Sequence, residues 1–125
     1  MAEHTVITAD RYLLRSGREM EHIVIDFECA ADETCTEAIA AALGETALFG
    51  FLYAISAVGG DGAWEVALNT PDALDILSGN MAAINVVSGK MYTPAAPIIM
   101  MTEITMEITN AGAAGTGTIE LFMEI

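Results

Sequence analysis

Alternation of apolar and polar side chains constrains this chain more than any other feature. In HIVIDFEC, residues 22–29, Ile23, Ile25, Phe27 and Cys29 share one face, and His22, Val24, Asp26 and Glu28 share the other. A period of two residues sends successive side chains to opposite faces of a strand, so this run predicts a half-buried β-strand. WEVALN, residues 64–69, repeats the pattern with Trp64, Val66 and Leu68 on one side, and Pro71 stops it by removing a ladder donor. Near the other end, Ile98, Met100, Ile104, Met106 and Ile108 alternate with Ile99, Met101, Glu103, Thr105, Glu107 and Thr109. Beyond the NAGAAGTG loop, Ile119, Leu121, Met123 and Ile125 alternate with Glu120, Phe122 and Glu124, which predicts a C-terminal hairpin.

The remaining segments fit the same frame. FLYAISA, residues 51–57, reads as a strand with Leu52, Ala54 and Ser56 opposite Phe51, Tyr53, Ile55 and Ala57, and the turn GGDG follows. ALDILSGNMAAI is a short apolar segment broken by a Ser-Gly-Asn turn, and residues 85–97 read as irregular. In TCTEAIAAALG, Thr34 and Glu37 have the spacing of a helix cap and Gly44 a stop, so one short helix near residues 35–43 competes with a loop of small residues. Strand spacing with glycine-rich turns predicts an all-β fold: a single-domain antiparallel β-sandwich, jelly-roll-like. Residues 20–125 form that domain, and residues 1–19 are expected to be an N-terminal arm.

Charge decides which partners suit such a domain. The chain of 125 residues carries a net charge of −14 with only 18% charged residues, yet 54% are hydrophobic. That much apolar material fills a core and leaves some on the surface, where a partner is expected to cover it. Self-association is the simplest cover. Arg11, Arg15 and Arg18 balance Glu3, Asp10 and Glu19, while every later acid is set against Lys90 alone. Such a body does not suit nucleic acid, whose binding depends on Lys and Arg neutralising phosphates. The arginines are candidate contacts between the arm and an acidic partner, with solvated surface arginines the alternative. Met91, Met100 and Met101 are the candidate subunit contacts.

Membrane and redox readings follow from short stretches. From Ala38 to Val58 only Glu45 is charged, but the run is rich in alanine and broken by glycines, so no spanning helix is expected. MAEHTVITADR has no apolar signal region, which points to a reducing compartment. There Cys29 and Cys35 are free thiols; in an oxidising medium a local disulfide is the alternative.

Catalytic patterns are scarce. The histidines are His4 and His22, and His22 sits on the polar side of its strand. No G-x-S-x-G, H-E-x-x-H or C-x-x-C occurs. Cys29, Cys35 and His22 lack zinc spacing and a fourth ligand. Asp61, Glu65, Asp72 and Asp75 cluster without the calcium-loop pattern and read as solvated turn acids. GAAGTG leads into a strand, whereas a phosphate loop leads into a helix. No catalytic residue, metal or cofactor is assigned, and the chain is expected not to be an enzyme.

Several of these segments, in this order, resemble a family of small virion proteins of tailed bacteriophages, encoded among head and tail structural genes. The resemblance is carried by HIVIDFECAADE (22–33), WEVAL (64–68), PDALDILSGN (71–80), ITMEITNAG (104–112) and GTIELF (117–122). It covers roughly residues 20–124 by pattern; the first nineteen residues and TCTEAIAAALGET stand outside it. The resemblance implies a structural role in the virion. The expectation is a capsid decoration (cement) protein on the outer shell, made in the host bacterial cytoplasm, binding the major capsid protein as a homo-oligomer, most simply a trimer. A head–tail joining or tail component is the alternative. A glycan-binding jelly-roll module comes third, because it needs exposed aromatics and Trp64 falls on an apolar face.

Overall fold

The structure, a computed structural model, describes residues 6–15, 19–29, 34–60, 62–109 and 115–124. Two antiparallel sheets face each other. The large sheet contains β1 (Val6–Arg15), β2 (Glu19–Glu28), β4 (Gly50–Gly59), β6 (Lys90–Tyr92), β7 (Ile98–Met100) and β9 (Thr116–Glu124). Its order is β1-β2-β9-β4, with β6 and β7 side by side along the outer flank of β4. The small sheet contains β3 (Cys35–Ala38), β5 (Glu65–Asn69) and β8 (Thr105–Thr109), in the order β3-β8-β5. The connections β2–β3, β4–β5 and β8–β9 each cross from one sheet to the other. Such crossings give a sandwich of jelly-roll type.

Period-two patterning builds the core directly. Ile23, Ile25 and Phe27 of β2, Ile119, Leu121 and Met123 of β9, and Leu52, Ile55 and Ala57 of β4 point inward from the large sheet. Cys35, Val66, Leu68, Met106 and Ile108 meet them from the small sheet. Each fully buried Ile or Leu contributes about 2 kcal/mol by leaving water. Trp64 closes one end; its ring lies 5.0 Å from that of Phe27, and its Nε1 donates to the Gly59 carbonyl at 3.0 Å.

Several expectations change. Thr105–Thr109 and Thr116–Glu124 are strands, but they form no hairpin: β8 pairs with β3 and β5, while β9 lies between β2 and β4. The intervening loop is a crossover, fastened at its exit where Cys29 N–H donates to the Gly115 carbonyl. In β4 a bulge between Leu52 and Ala54 shifts the phase. Ile55 and Ala57 therefore turn inward with Leu52, and Ser56 turns outward, the reverse of a uniform alternation. The helix α1 is one turn, Ile39–Ala42, and the preceding Cys35–Ala38 is strand. Glu103 holds that turn, its carboxylate accepting N–H groups from Ala40 and Ala41.

Val6–Arg15, expected as an arm, pairs with β2 along its whole length as the edge strand of the large sheet. The cysteines are bonded to each other: the Cys29–Cys35 disulfide ties the end of β2 to β3 and so joins the two sheets. No helix among the described residues is long and apolar enough to cross a membrane.

Candidate interaction face

The outer side of the large sheet carries polar and aromatic side chains in register. Glu120 is central, with Oε1 3.2 Å from His22 Nε2 and Oε2 accepting the Ser56 hydroxyl at 3.2 Å. His22 stacks on Phe122, with ring centroids 4.8 Å apart. Tyr53 donates to Glu124 at 3.4 Å, and Thr118 to Asp26 at 2.7 Å. Serine, histidine and glutamate together suggest a catalytic triad, but the order is wrong. A triad needs the imidazole between hydroxyl and carboxylate so that it can take the hydroxyl proton. Here the carboxylate lies between, and the Ser56 hydroxyl donates to it. The arrangement ties β2, β9 and β4 together.

Of the acids expected in turns, Asp75 does a structural task, while Glu65 lies in β5 and Asp72 is exposed. Asp75 accepts the N–H groups of Leu68, Leu77 and Gly79, each at 3.0 Å. Its carboxylate thus fastens the loop against β5. Further along, Trp64 and Ile84 exchange backbone bonds, and Val66 N–H reaches the Met81 carbonyl. Residues 75–84 therefore cover the flank of β5 without forming a strand. Three non-glycine residues in or just before this stretch, Ala73, Ser78 and Ala83, have φ between 51° and 61°, in the left-handed region. Asp61 lies outside the described residues. Among the described residues, no group of three or more His, Cys, Asp or Glu is arranged to hold a metal ion.

Among the described residues, exposed apolar side chains gather along β4. Of the nine large hydrophobics that stand exposed among the described residues, Phe49, Phe51, Val58, Val86, Val87, Met91, Ile99 and Met101 lie on β4 or on the chain beside it, and Leu74 lies elsewhere. Ile99 is directly opposite Phe51, and Met91 opposite Ser56. The turn leading to β6 runs so close to Val58 that a Cβ on Gly89 would lie 2.6 Å from Val58 Cγ1. Gly89 has φ +68°, so glycine suits the position on both counts. The result is an apolar stripe along the β4 flank, at the edge occupied by β6 and β7.

The expected contact residues fall in different places. Met91 and Met101 are 60% and 70% exposed on the stripe, but Met100 is 1% exposed. Met100 pairs with Gly50 on the inner side and belongs to the core, so it is removed from the surface candidates. Arg11 and Arg15 lie on β1 at the opposite edge, in register with Ile23 and Glu19; Arg18 lies outside the described residues. Phe49, Phe51, Val58 and Ile99 escaped sequence reasoning. A signal was present: residues 46–60 and 91–102 contain no charged side chain at all.

The fold and this edge define the chain as an antiparallel jelly-roll-like sandwich with an apolar flank along β4, β6 and β7. No family model, curated protein or solved structure matches it.

Proposed function

We propose that this chain is a capsid decoration protein of a tailed bacteriophage, seated on the outer shell as an oligomer and stabilising it. The observation that carries the reading is the apolar stripe along β4, β6 and β7 on an otherwise acidic body. A surface of that kind suits burial against other proteins. The resemblance in WEVAL, PDALDILSGN and GTIELF supplies the virion setting. The net charge of −14 favours the outside of a shell over its DNA-filled interior.

Its partners in this reading are further copies of itself, as a trimer, and the major capsid protein. Arg11, Arg15 and Arg18 remain the candidate contacts to the shell. An oligomer touching several capsid subunits at once gains affinity through effective concentration, without strong individual contacts. Burial of Trp64, 1% exposed, removes the chain's one tryptophan from any glycan-binding role.

The test is the copy number of the chain in purified particles, measured by quantitative mass spectrometry against the major capsid protein. On the order of hundreds of copies supports a symmetry-repeated decoration. About a dozen or fewer moves the chain to the head–tail junction or tail. None overturns the virion reading.

A further inference from the structure

We propose that the β7 edge and its apolar neighbours form the contact between copies of this chain. The inference deepens the oligomeric part of the reading above and rests on it.

An edge strand exposes unpaired N–H and C=O groups, and natural sheets shield such edges with charge, proline or a cover. The two edges of the large sheet differ in this respect. β1 carries Asp10, Arg11 and Arg15 within its ten residues. β7 is Ile98-Ile99-Met100, followed by Met101 and Thr102, with no charge. Pro97 removes a donor only ahead of the strand. Around this edge stand Phe49, Phe51, Ile99 and Met101, between 41% and 70% exposed. The two chain segments that build it, residues 46–60 and 91–102, carry no charge, as is also true of residues 76–89 and 108–119 elsewhere in the chain.

Charge selects the occupant. A cationic partner is drawn to Asp26, Glu28, Glu120 and Glu124 on the outer face, and nothing at the β7 edge attracts it. Nucleic acid and anionic surfaces are repelled by the whole body. A second copy also carries a charge of −14, so two copies approach most readily where neither presents a charge. β7 itself meets that condition, with Glu124 set back on the far side of β4 opposite Phe51, and a second copy brings apolar side chains and unpaired backbone of the same kind. A contact confined to β7 and Met101 buries no charged side chain of those residues, which avoids the main penalty on burial.

The experiment is sedimentation velocity on the full chain over a wide concentration range. It compares the wild type with the double variant Ile99→Glu/Met101→Glu and with Leu74→Glu. Leu74 is 65% exposed and lies off the edge, so its variant controls for added charge. All three positions are exposed, and circular dichroism confirms that each variant keeps its fold. The expected result is an oligomeric wild type and Leu74→Glu, with the double variant weakened roughly a hundredfold or more. A monomeric wild type at every concentration overturns the proposal. So does a double variant that associates as the wild type does. An oligomer lost in the double variant supports the inference even where particles contain no copies, and that pairing would reject only the virion setting.

Discussion

Asp75 Oδ1 accepts the backbone N–H of Leu68 at 3.0 Å, standing where a neighbouring strand would otherwise pair with β5. The same carboxylate holds Leu77 and Gly79, so one side chain satisfies three backbone donors. Leu68 and Leu77 are both fully buried. Asp75→Ala is expected to cost about 2–3 kcal/mol, because donors at these positions lose their acceptor with no water to replace it. Asp75→Asn keeps a carbonyl oxygen and is expected to cost about half as much. Urea denaturation of the two variants gives the comparison.

Gly117 and Gly59 are paired across β9 and β4, and the Phe27 ring fills the space beside them. A Cβ on Gly117 would lie 2.5 Å from the Val58 carbonyl oxygen and 2.7 Å from Phe27 Cζ. Backbone cannot yield as a flexible side-chain tip does. Gly117→Ala is expected to destabilise by about 1–3 kcal/mol. Gly62→Ala meets nothing within 4 Å and serves as the neutral control in the same thermal melts.

The Cys29–Cys35 bridge closes a short loop, six positions apart in sequence, between the two sheets. Removing it frees the unfolded chain by about 2 kcal/mol of loop-closure entropy. The double variant Cys29→Ala/Cys35→Ala is expected to melt on the order of 5–10 °C lower than the oxidised protein. A thiol reductant is expected to lower the wild-type midpoint and leave the variant unmoved. Equal midpoints with and without reductant in the wild type would show that the bridge adds nothing.

Glu120 binds both His22 and Ser56 but stands partly in solvent, with 36% of its side chain exposed. Exposed pairs of this kind contribute little after screening. Glu120→Gln is therefore expected to change stability by less than about 1 kcal/mol, measured by the same urea titration.

β9 lies between β2 and β4, with Ile119, Leu121 and Met123 fully buried. Deletion of residues 118–125 removes the strand that joins the two halves of the large sheet. The expected product is insoluble, as assayed by centrifugation after expression; a soluble, cooperatively melting product would contradict this topology.

Much of the fold is legible in the pattern of residues. Ile23, Ile25 and Phe27, then Trp64, Val66 and Leu68, alternate with neighbours that are mostly polar, and all six are buried. Pairing partners are not legible in the same way. β8 and β9 both alternate and flank a glycine-rich loop, yet each lies in a different sheet, because local periodicity marks faces and not neighbours. The bulge at Tyr53 is hidden for a related reason: β4 is apolar on both sides apart from Tyr53 and Ser56, and one small serine is too weak a signal to report the change of phase. Ile98–Met101 is apolar on both faces too. Only its pairing with β4 sends Met100 inward and leaves Ile99 and Met101 outside. The apolar stripe was legible only in part, as uncharged stretches whose adjacency depends on the sheet order.

The position of β9 also governs the order in which the chain can be finished. β2 and β4 are made early and have no direct contact with each other in the sheet; each waits for a strand that leaves the ribosome only after the rest of the described sequence. Until residues 116–124 emerge, the nascent chain carries two exposed strand edges and an incomplete interior. Pairings between such distant segments are slow to form. Synthesis therefore includes an interval in which the unfinished sheet is open to capture by chaperones, or to mispairing with another nascent chain on the same message.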